Sequence, residues 1–439
     1  MTQALFRTTV LVCAGAIASL QAAPAAAAVD RDGAVMVYNE AKAICERDAD
    51  ALWGRSLCGP ILIVDPMDRA AIANQQDPDN KLTANGGVFT GTLPADAILA
   101  NTRVEWSGER WTQLLWPVSF ETSIRQVTTA HELFHRIQPD LGLTRPEAGN
   151  RHLDTLEGRY LLQLEWRALA RALMADNAND RRARVADALA FRNARHKLFD
   201  NAAADEAALE INEGIAEYTG VRLGLARADA RQAYAIFDLS RFVDAPSFVR
   251  SFAYASGPAY GLLLDDADPA WRQKLVAGTG LGALLAKAYN SDTVASADLD
   301  ARKGRYDSDG SLRAAEVRRD RERIARVDAY RAALIDGPVL VLPLAKTNYQ
   351  FNPQTLMALE NTGTVYPTLR LIDAWGDLVV ERNGALVYAD KKRATVSLHG
   401  NGSDPLRGDG WRLTLEPGWK IAPGTRAGDS TLIREGGQP

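Results

Sequence analysis

The sequence predicts an α+β protein with a small antiparallel sheet near the N-terminus, a mainly helical middle and an all-β C-terminal region. Three changes of apolar spacing predict this order: short strand-like runs between residues 59 and 118, helical spacing from residue 122 to 335, and period-two alternation after residue 337. The 439-residue chain is 46% hydrophobic and 24% charged, which is typical of a globular protein with two or three domains.

The first 28 residues are predicted to be a Sec-type signal peptide. Arg7 supplies the positive charge, the apolar run from Val10 to Leu20 is too short to span a bilayer, and Ala26 to Ala28 form a small-residue cleavage site. An uncleaved membrane anchor is the alternative interpretation. We therefore expect an exported protein, periplasmic or secreted, with no integral membrane segment in the mature chain.

Residues 29–118 are predicted to form a helix and a β-sheet subdomain of the catalytic unit. Helical spacing covers residues 33–50. Short apolar runs, some of them bounded by Gly and Pro, predict strands at 61–64, 86–91, 97–106 and 112–118.

The cysteine count excludes a four-cysteine zinc site and a multi-disulfide scaffold, because the chain has only three cysteines. Cys13 lies in the predicted signal peptide. In an oxidising compartment we expect Cys45 and Cys58 to form a disulfide, which would stabilise the fold by about 3 kcal/mol. Two buried free thiols are the alternative.

Residues 119–336 are predicted to be a helical domain. Its predicted helices cover 122–138, 153–174, 182–199, 206–225, 257–266, 271–289 and 312–335. The charged residues of the last helix are interpreted as its solvated face.

Residues 337–439 are predicted to be an all-β domain, either a sandwich or a barrel. Period-two runs predict strands at 339–342, 356–359, 368–372, 377–380, 395–398 and 411–415.

The charge balance gives no sign of a nucleic-acid partner. Lys and Arg number 51 and Asp and Glu number 55, so the formal net charge is −4. A histidine-based metal site remains possible, but the chain has only five histidines from which to build it.

Two of those histidines lie in the sequence His131-Glu132-Leu133-Phe134-His135, on the first predicted helix of the middle domain. Side chains four residues apart project from the same helix face, so both rings can bind one metal ion. Glu132 projects beside them, where a general base for an activated water belongs. Two histidines that only cap or pack are the alternative. This spacing therefore predicts a Zn²⁺ site with His131 and His135 as ligands.

A third protein ligand is needed. Because the chain has so few histidines, we expect this ligand to be a carboxylate. Glu213 is the first candidate and Glu217, one turn later, is the candidate for an acid that orients a ligand histidine. Glu157 and Asp154 are alternative third ligands, because they follow His135 at a shorter distance; otherwise they begin a helix, where acids are favoured.

The histidine motif followed by Asn212-Glu213-Gly214-Ile215-Ala216-Glu217-Tyr218 resembles the gluzincin superfamily of zinc metallopeptidases, which includes thermolysin-like proteases and membrane-alanyl aminopeptidases. The resemblance covers roughly residues 100–265 and implies a helical zincin domain. It implies that His131, His135 and Glu213 bind zinc, that Glu132 is the general base and that Glu217 is the second acid. It also implies that Tyr254, in Tyr-x-x-Gly, hydrogen-bonds the oxyanion; a core aromatic is the alternative.

Two features depart from that family pattern. Between His135 and Glu213 there are 77 residues, where roughly 20 are usual. The Gly-x-Met-Glu-Asn segment that binds a free amine in the aminopeptidases is missing, so that specificity is not implied.

The sequence thus predicts an exported zinc-dependent metallopeptidase that hydrolyses a peptide or protein substrate through a zinc-activated water, with Glu132 as general base. A non-catalytic secreted binding protein on the same scaffold and a zinc hydrolase of non-peptide substrates are the alternatives.

Overall fold

The structure is a computed structural model that describes residues 29–94, 97–146, 149–275, 279–291, 298–351, 355–359, 362–400 and 404–436. The predicted signal peptide, residues 1–28, lies outside the described residues. The described chain confirms the predicted α+β class, with an N-terminal sheet, a helical middle and a strand-rich C-terminal region. Within these ranges, no helix is both long enough and apolar enough to cross a bilayer.

The N-terminal region consists of one helix and a six-stranded sheet. They are α1 (Arg31–Asp48), β1 (Ile61–Val64), β2 (Ala70–Ala73), β3 (Thr83–Asn85), β4 (Val88–Thr92), β5 (Thr102–Trp106) and β6 (Glu109–Leu115). The strand order is β3-β4-β2-β1-β6-β5, and all neighbours are antiparallel except β1 and β6. The sequence analysis missed β2 and β3, because the first is a short Ala-rich strand and the second has three exposed residues.

The predicted disulfide between Cys45 and Cys58 is present, with the two Cα atoms 5.3 Å apart. Cys45 lies near the end of α1 and Cys58 shortly before β1. The bond therefore holds the first helix to the sheet.

The middle of the chain is helical and shares one hydrophobic core with α1 and one face of the sheet. Its helices are α2 (Thr122–Ile137), α3 (Leu156–Leu173), α4 (Ala178–Leu198), α5 (Ala202–Leu209), α6 (Ile215–Gly224), α7 (Ala228–Arg241), α8 (Phe248–Ala267), α9 (Trp271–Leu275), α10 (Leu281–Ala288), α11 (Leu299–Tyr306) and α12 (Ser311–Arg331). Short 3-10 turns cover Gln138–Leu141, Arg151–Asp154 and Phe242–Asp244, and π turns cover Glu210–Gly214 and Ala332–Asp336.

The helical predictions differ from the structure in several places, and the helix predicted for 257–266 begins at Phe248. The helix predicted for 206–225 is α5, a π turn and α6 in succession. The helix predicted for 271–289 is divided into α9 and α10. The sequence analysis missed α7 and α11.

The C-terminal region folds into strands β7 (Val339–Pro343), β8 (Asn348–Phe351), β9 (Met357–Leu359), β10 (Gly363–Tyr366), β11 (Leu369–Asp373), β12 (Gly376–Val380), β13 (Ala385–Tyr388), β14 (Arg393–Ser397), β15 (Arg407–Gly408), β16 (Trp411–Leu415), β17 (Trp419–Pro423) and β18 (Ser430–Arg434). They form two sheets, in the orders β17-β18-β7-β14-β13-β10-β9 and β15-β16-β12-β11-β8. Leu340 of one sheet and Leu371 and Leu378 of the other share a core, so the arrangement is a sandwich rather than a barrel. Six of these strands were not predicted: β8, β10, β13, β15, β17 and β18.

Candidate metal centre

Helix α2 carries the histidine motif through the interior, so that His131, Glu132 and His135 are all buried. It packs closely along α6, because glycines on α6 leave room for its backbone. A Cβ at Gly220 would lie only 2.6 Å from the carbonyl oxygen of Val127, and one at Gly224 only 2.8 Å from that of Gln126. This close approach brings Glu217 of α6, and Glu213 of the turn before it, next to the histidines of α2.

Three side chains converge at this contact: His131, His135 and Glu213. The two Nε2 atoms are 2.9 Å apart. Oε2 of Glu213 lies 3.6 Å from Nε2 of His131 and 3.5 Å from Nε2 of His135. Among the described residues, this is the group of acids and histidines that is compact enough to hold a metal ion.

Both imidazole rings are oriented by a hydrogen bond from Nδ1. His131 donates to Oε2 of Glu217 at 2.7 Å, and His135 donates to Oε1 of Gln138 at 2.8 Å. With the proton on Nδ1, the lone pair of each ring lies on Nε2. The two lone pairs then face each other across 2.9 Å, an arrangement that repels unless a cation lies between them.

The donor set fits a tetrahedral zinc ion. Zn–N and Zn–O bonds of about 2.0–2.1 Å at tetrahedral angles place ligand atoms roughly 3.3–3.4 Å apart. The three measured separations, 2.9, 3.5 and 3.6 Å, bracket that value. Two imidazole nitrogens and one carboxylate are also the ligand types of catalytic zinc sites that keep a fourth position open.

Glu213 lies in the π turn Glu210–Gly214 rather than in a regular α-helix. Gln138 supports this turn, because its Nε2 donates to the carbonyl oxygens of Ile211 and Asn212 at 2.9 and 3.0 Å. The same side chain accepts a hydrogen bond from His135. One amide therefore fixes both the ring of a candidate ligand and the backbone that carries Glu213. Single π turns inside α-helices are frequent at functional sites.

Helix α8 closes the other side of Glu213. The hydroxyl of Tyr254 donates to Oε2 of Glu213 at 2.6 Å, and a guanidinium nitrogen of Arg250 lies 3.2 Å from Oε1. This approach requires glycine at the crossing, because a Cβ at Gly257 would lie 2.3 Å from the carbonyl oxygen of Gly214. Gly257 is the glycine of the Tyr-x-x-Gly segment, so its role here is to let Tyr254 reach Glu213.

The electrostatics of the cluster favour a positive charge between the acids. Burial lowers the pKa of His131, but the carboxylates of Glu213 and Glu217 raise it to well above its usual value. Burial raises the pKa of Glu213, but the two neighbouring histidines bring it far below its usual range. Burial and the Glu213 carboxylate raise the pKa of Tyr254, so its hydroxyl stays protonated and acts as a donor.

Glu132 lies beside the cluster without belonging to it. Its side chain is buried, and Oε2 has no hydrogen-bond partner among the described residues. Burial raises the pKa of this carboxyl, and the neighbouring histidines oppose that rise only in part. A buried carboxylate with an unused oxygen and a raised pKa is suited to accept a proton from a molecule in the cleft.

The two alternative third ligands, Asp154 and Glu157, make contacts elsewhere in the structure. The carboxylate of Asp154 accepts hydrogen bonds from the Ser247 hydroxyl and the Phe248 amide, at 2.7 and 2.8 Å, and so caps the start of α8. Glu157 pairs with Arg313 of α12. Neither carboxylate belongs to the group that converges on the histidines.

The long segment between His135 and Glu213 is filled by α3 and α4, which pack along each other. They join the π turn through a buried ionic cluster. Arg192 of α4 binds both oxygens of Glu210, at 2.7 and 2.8 Å. Arg195 bridges Glu165 of α3 and Glu206 of α5, each at 2.7 Å. Helices α3 and α4 therefore help to hold the turn that carries Glu213.

Sequence analysis missed three residues of this site: Gln138, Asn212 and Arg250. Gln138 follows His135 by three residues, which places it one turn further along the same helical path, and this spacing was an available signal. Asn212 exchanges two hydrogen bonds with the backbone of Arg145, at 2.8 and 2.9 Å. Nothing local in the sequence indicates that contact or the contact of Arg250 with Glu213, because both depend on tertiary packing.

The cluster lies in a cleft of about 950 Å³, lined by Leu93, Pro94, residues 97–98 and 100–106, Gln113, His131, Glu132, His135, Gln138, Thr144, Arg145, Asn212, Glu213, Arg250 and Tyr254. Strand β5 forms one wall, and it is an edge strand of its sheet. Comparison of the chain with models of known protein families, with curated proteins and with solved structures finds no match.

Proposed function

We propose that the protein is an exported zinc-dependent metallopeptidase, a divergent relative of the gluzincins. The observation that carries the proposal is the convergence of His131, His135 and Glu213 on one point. Both imidazoles are oriented so that the lone pair of Nε2 is free to bind a metal ion. The placement of Glu217 against His131 and of Tyr254 against Glu213 supports the resemblance to that superfamily. Export is supported by the sequence of residues 1–28 and by the disulfide between Cys45 and Cys58.

Zinc, when bound, supplies a Lewis acid that polarises a carbonyl group and acidifies water. Glu132 takes a proton from the attacking water, holds it on the carboxylate and delivers it to the leaving nitrogen. Its buried position supports this role, because burial raises the pKa and makes the carboxylate a stronger base. Glu217 and Gln138 keep the ligand rings in the required orientation.

The hydroxyl of Tyr254 has one role in the free protein and another when substrate is bound. Its hydroxyl donates to Oε2 of Glu213, which orients the third ligand. When the carboxylate is engaged as a ligand, the same hydroxyl, which stays protonated, can turn to a developing oxyanion in the cleft.

A peptide substrate is supported by the shape of the cleft. Edge strand β5 leaves one side of its backbone unpaired within the described sheet, and residues of this strand line the cleft. An extended peptide can add to such an edge through main-chain hydrogen bonds. The cleft volume, about 950 Å³, is at the upper end of the range for ligand pockets and leaves room for a peptide segment.

Metal content and turnover test the proposal together. We expect one zinc per chain in protein purified without chelators, and hydrolysis of casein or of a quenched fluorescent peptide library. Glu132→Gln should keep the zinc and lose about 10²–10⁴-fold in turnover, because only the proton acceptor is removed. Glu322→Gln, at an exposed site on α12, is the matched control and should retain full activity.

Three outcomes would overturn the proposal or part of it. Full activity of Glu132→Gln would exclude its role as general base. Absence of stoichiometric zinc, together with absence of hydrolysis, would favour a secreted binding protein instead. Zinc binding with hydrolysis of esters or amides but not of peptides would favour a hydrolase of non-peptide substrates.

A further inference from the structure

Three arginines line the cleft beside the candidate metal centre: Arg103, Arg145 and Arg250. They are a local feature, because the whole chain carries a formal net charge of −4. Arg250 contacts Glu213 at 3.2 Å and so belongs to the surroundings of the third ligand. The other two have no acidic partner among the described residues.

Arg145 is held at the cleft by its backbone. Its amide donates to the side-chain oxygen of Asn212 at 2.8 Å, and its carbonyl accepts from the side-chain nitrogen of Asn212 at 2.9 Å. Asn212 directly precedes Glu213, so the two reciprocal bonds fix Arg145 next to the third ligand. One nitrogen of its guanidinium donates to the carbonyl oxygens of Gly142 and Thr144. The other N–H groups have no partner among the described residues.

Arg103 lines the cleft from edge strand β5. It pairs with Thr112 of β6, so its side chain shares a sheet face with Leu114, which packs in the same core as α2. That face is the one turned toward the metal centre. No hydrogen bond or ion pair of its guanidinium occurs within the described part of the chain.

Two of the three acids that line the cleft, Glu105 and Glu213, are already engaged by other side chains. Glu105 accepts a hydrogen bond from Arg110 at 2.8 Å. Glu213 binds Tyr254 and Arg250, and Glu132 is buried beside the histidines. Because Glu105 and Glu213 are occupied while Arg145 and Arg103 keep N–H donors without a partner among the described residues, this part of the cleft attracts a negatively charged group.

We propose that this cleft selects peptides with an acidic side chain near the bond to be cleaved, with Arg145 and Arg103 as the residues that determine this specificity. The proposal rests on the proposed peptidase function, which it refines by naming the substrate class. Each guanidinium can bind a carboxylate through two parallel N–H donors, on one or the other side of the metal centre.

The test is calorimetric binding of capped peptides in which one Glu, or its uncharged counterpart Gln, is moved along an otherwise neutral sequence. Both the zinc-loaded Glu132→Gln variant and the metal-free wild-type protein are titrated. We expect the Glu peptide to bind at least about tenfold more tightly than the Gln peptide at one or two positions. Arg145→Gln and Arg103→Gln should each remove the preference at a different position, whereas Arg145→Lys should keep part of it.

Arg318→Gln is the matched control, because it removes the same charge from an exposed site on α12. Equal binding of Glu and Gln peptides at every position would overturn the proposal, as would a preference that survives in both cleft variants. Binding preference in a protein that cleaves no peptide would refute the peptidase and leave the acidic specificity standing. Cleavage of Glu and Gln peptides at equal rates, with equal binding, would refute the acidic specificity and leave the peptidase function standing.

Discussion

The buried ion pair between Arg192 and Glu210 offers a quantitative test of how the third ligand is held. Both oxygens of Glu210 bind the guanidinium of Arg192, at 2.7 and 2.8 Å, and Glu210 is 0% exposed. In Arg192→Met the carboxylate keeps its burial and loses its bidentate partner. Breaking a buried pair in this way costs about 3–5 kcal/mol, a large part of the roughly 5–15 kcal/mol that stabilises a domain.

The double variant Arg192→Met/Glu210→Leu separates the pair from its surroundings. Replacing both partners by apolar groups removes the unpaired charge, so much of the lost stability should return. The recovery should be incomplete, because Arg192 also lies 3.5 Å from Glu165 and 3.9 Å from Glu206. Arg182→Met is the control, an exposed residue of the same helix, and should change the stability by less than about 0.5 kcal/mol.

Urea unfolding followed by far-ultraviolet circular dichroism measures this effect. The described helices lie outside the strand-rich C-terminal region, so the helical signal reports on the part that holds the metal centre. Zinc affinity should fall in parallel, because Glu210 and Glu213 share the π turn. A loss of less than about 1 kcal/mol in Arg192→Met, or a double variant no more stable than the single one, would refute the reasoning.

Two further predictions concern the ligand rings and the sheet edge. Glu217→Ala should weaken zinc binding by about 10–100-fold in a chelator competition, because His131 loses its orienting acceptor; unchanged affinity, or an equal loss in exposed Glu46→Ala, would contradict this. Burial raises the pKa of Asp77, but hydrogen bonds from the Ser107 hydroxyl and two backbone amides lower it more, to about 2 from an ordinary 3.8. The folded state therefore gains stability above the unfolded pKa and loses it as the pH falls through about 2. Asp77→Ala should cost about 2 kcal/mol at neutral pH in urea unfolding and converge with wild type between about pH 4 and 2; a cost independent of pH would contradict the assignment.

The sequence was informative where the signal is local. Helical spacing located α2, and the separation of four residues within it placed His131 and His135 on one face. Strands with alternating or continuous apolar residues, such as Ile61–Val64, were also located. Strands such as Trp419–Pro423 were missed, because they are partly exposed and gain their stability from pairing with neighbours.

Charged residues mark the limit of sequence reasoning most clearly. On α4, nothing in the sequence indicates that Arg192 and Arg195 are interior residues, but the structure buries both. Their partners Glu165, Glu206 and Glu210 lie on other elements of the chain. A sequence pattern reports the polarity of a residue and not the partner that makes its burial possible.

By itself the sequence determined the first two candidate ligands, the acid beside them and the need for a carboxylate as the third, because these depend on residue types at fixed helical spacing. Only the tertiary structure showed that Glu213, and not Asp154 or Glu157, lies beside the two histidines. Glycines at the contacts of α6 with α2 and of the π turn with α8 allow the backbones to approach, and this packing brings one carboxylate of the three to the histidines. Contacts between segments 77 residues apart follow from packing, which no local pattern records.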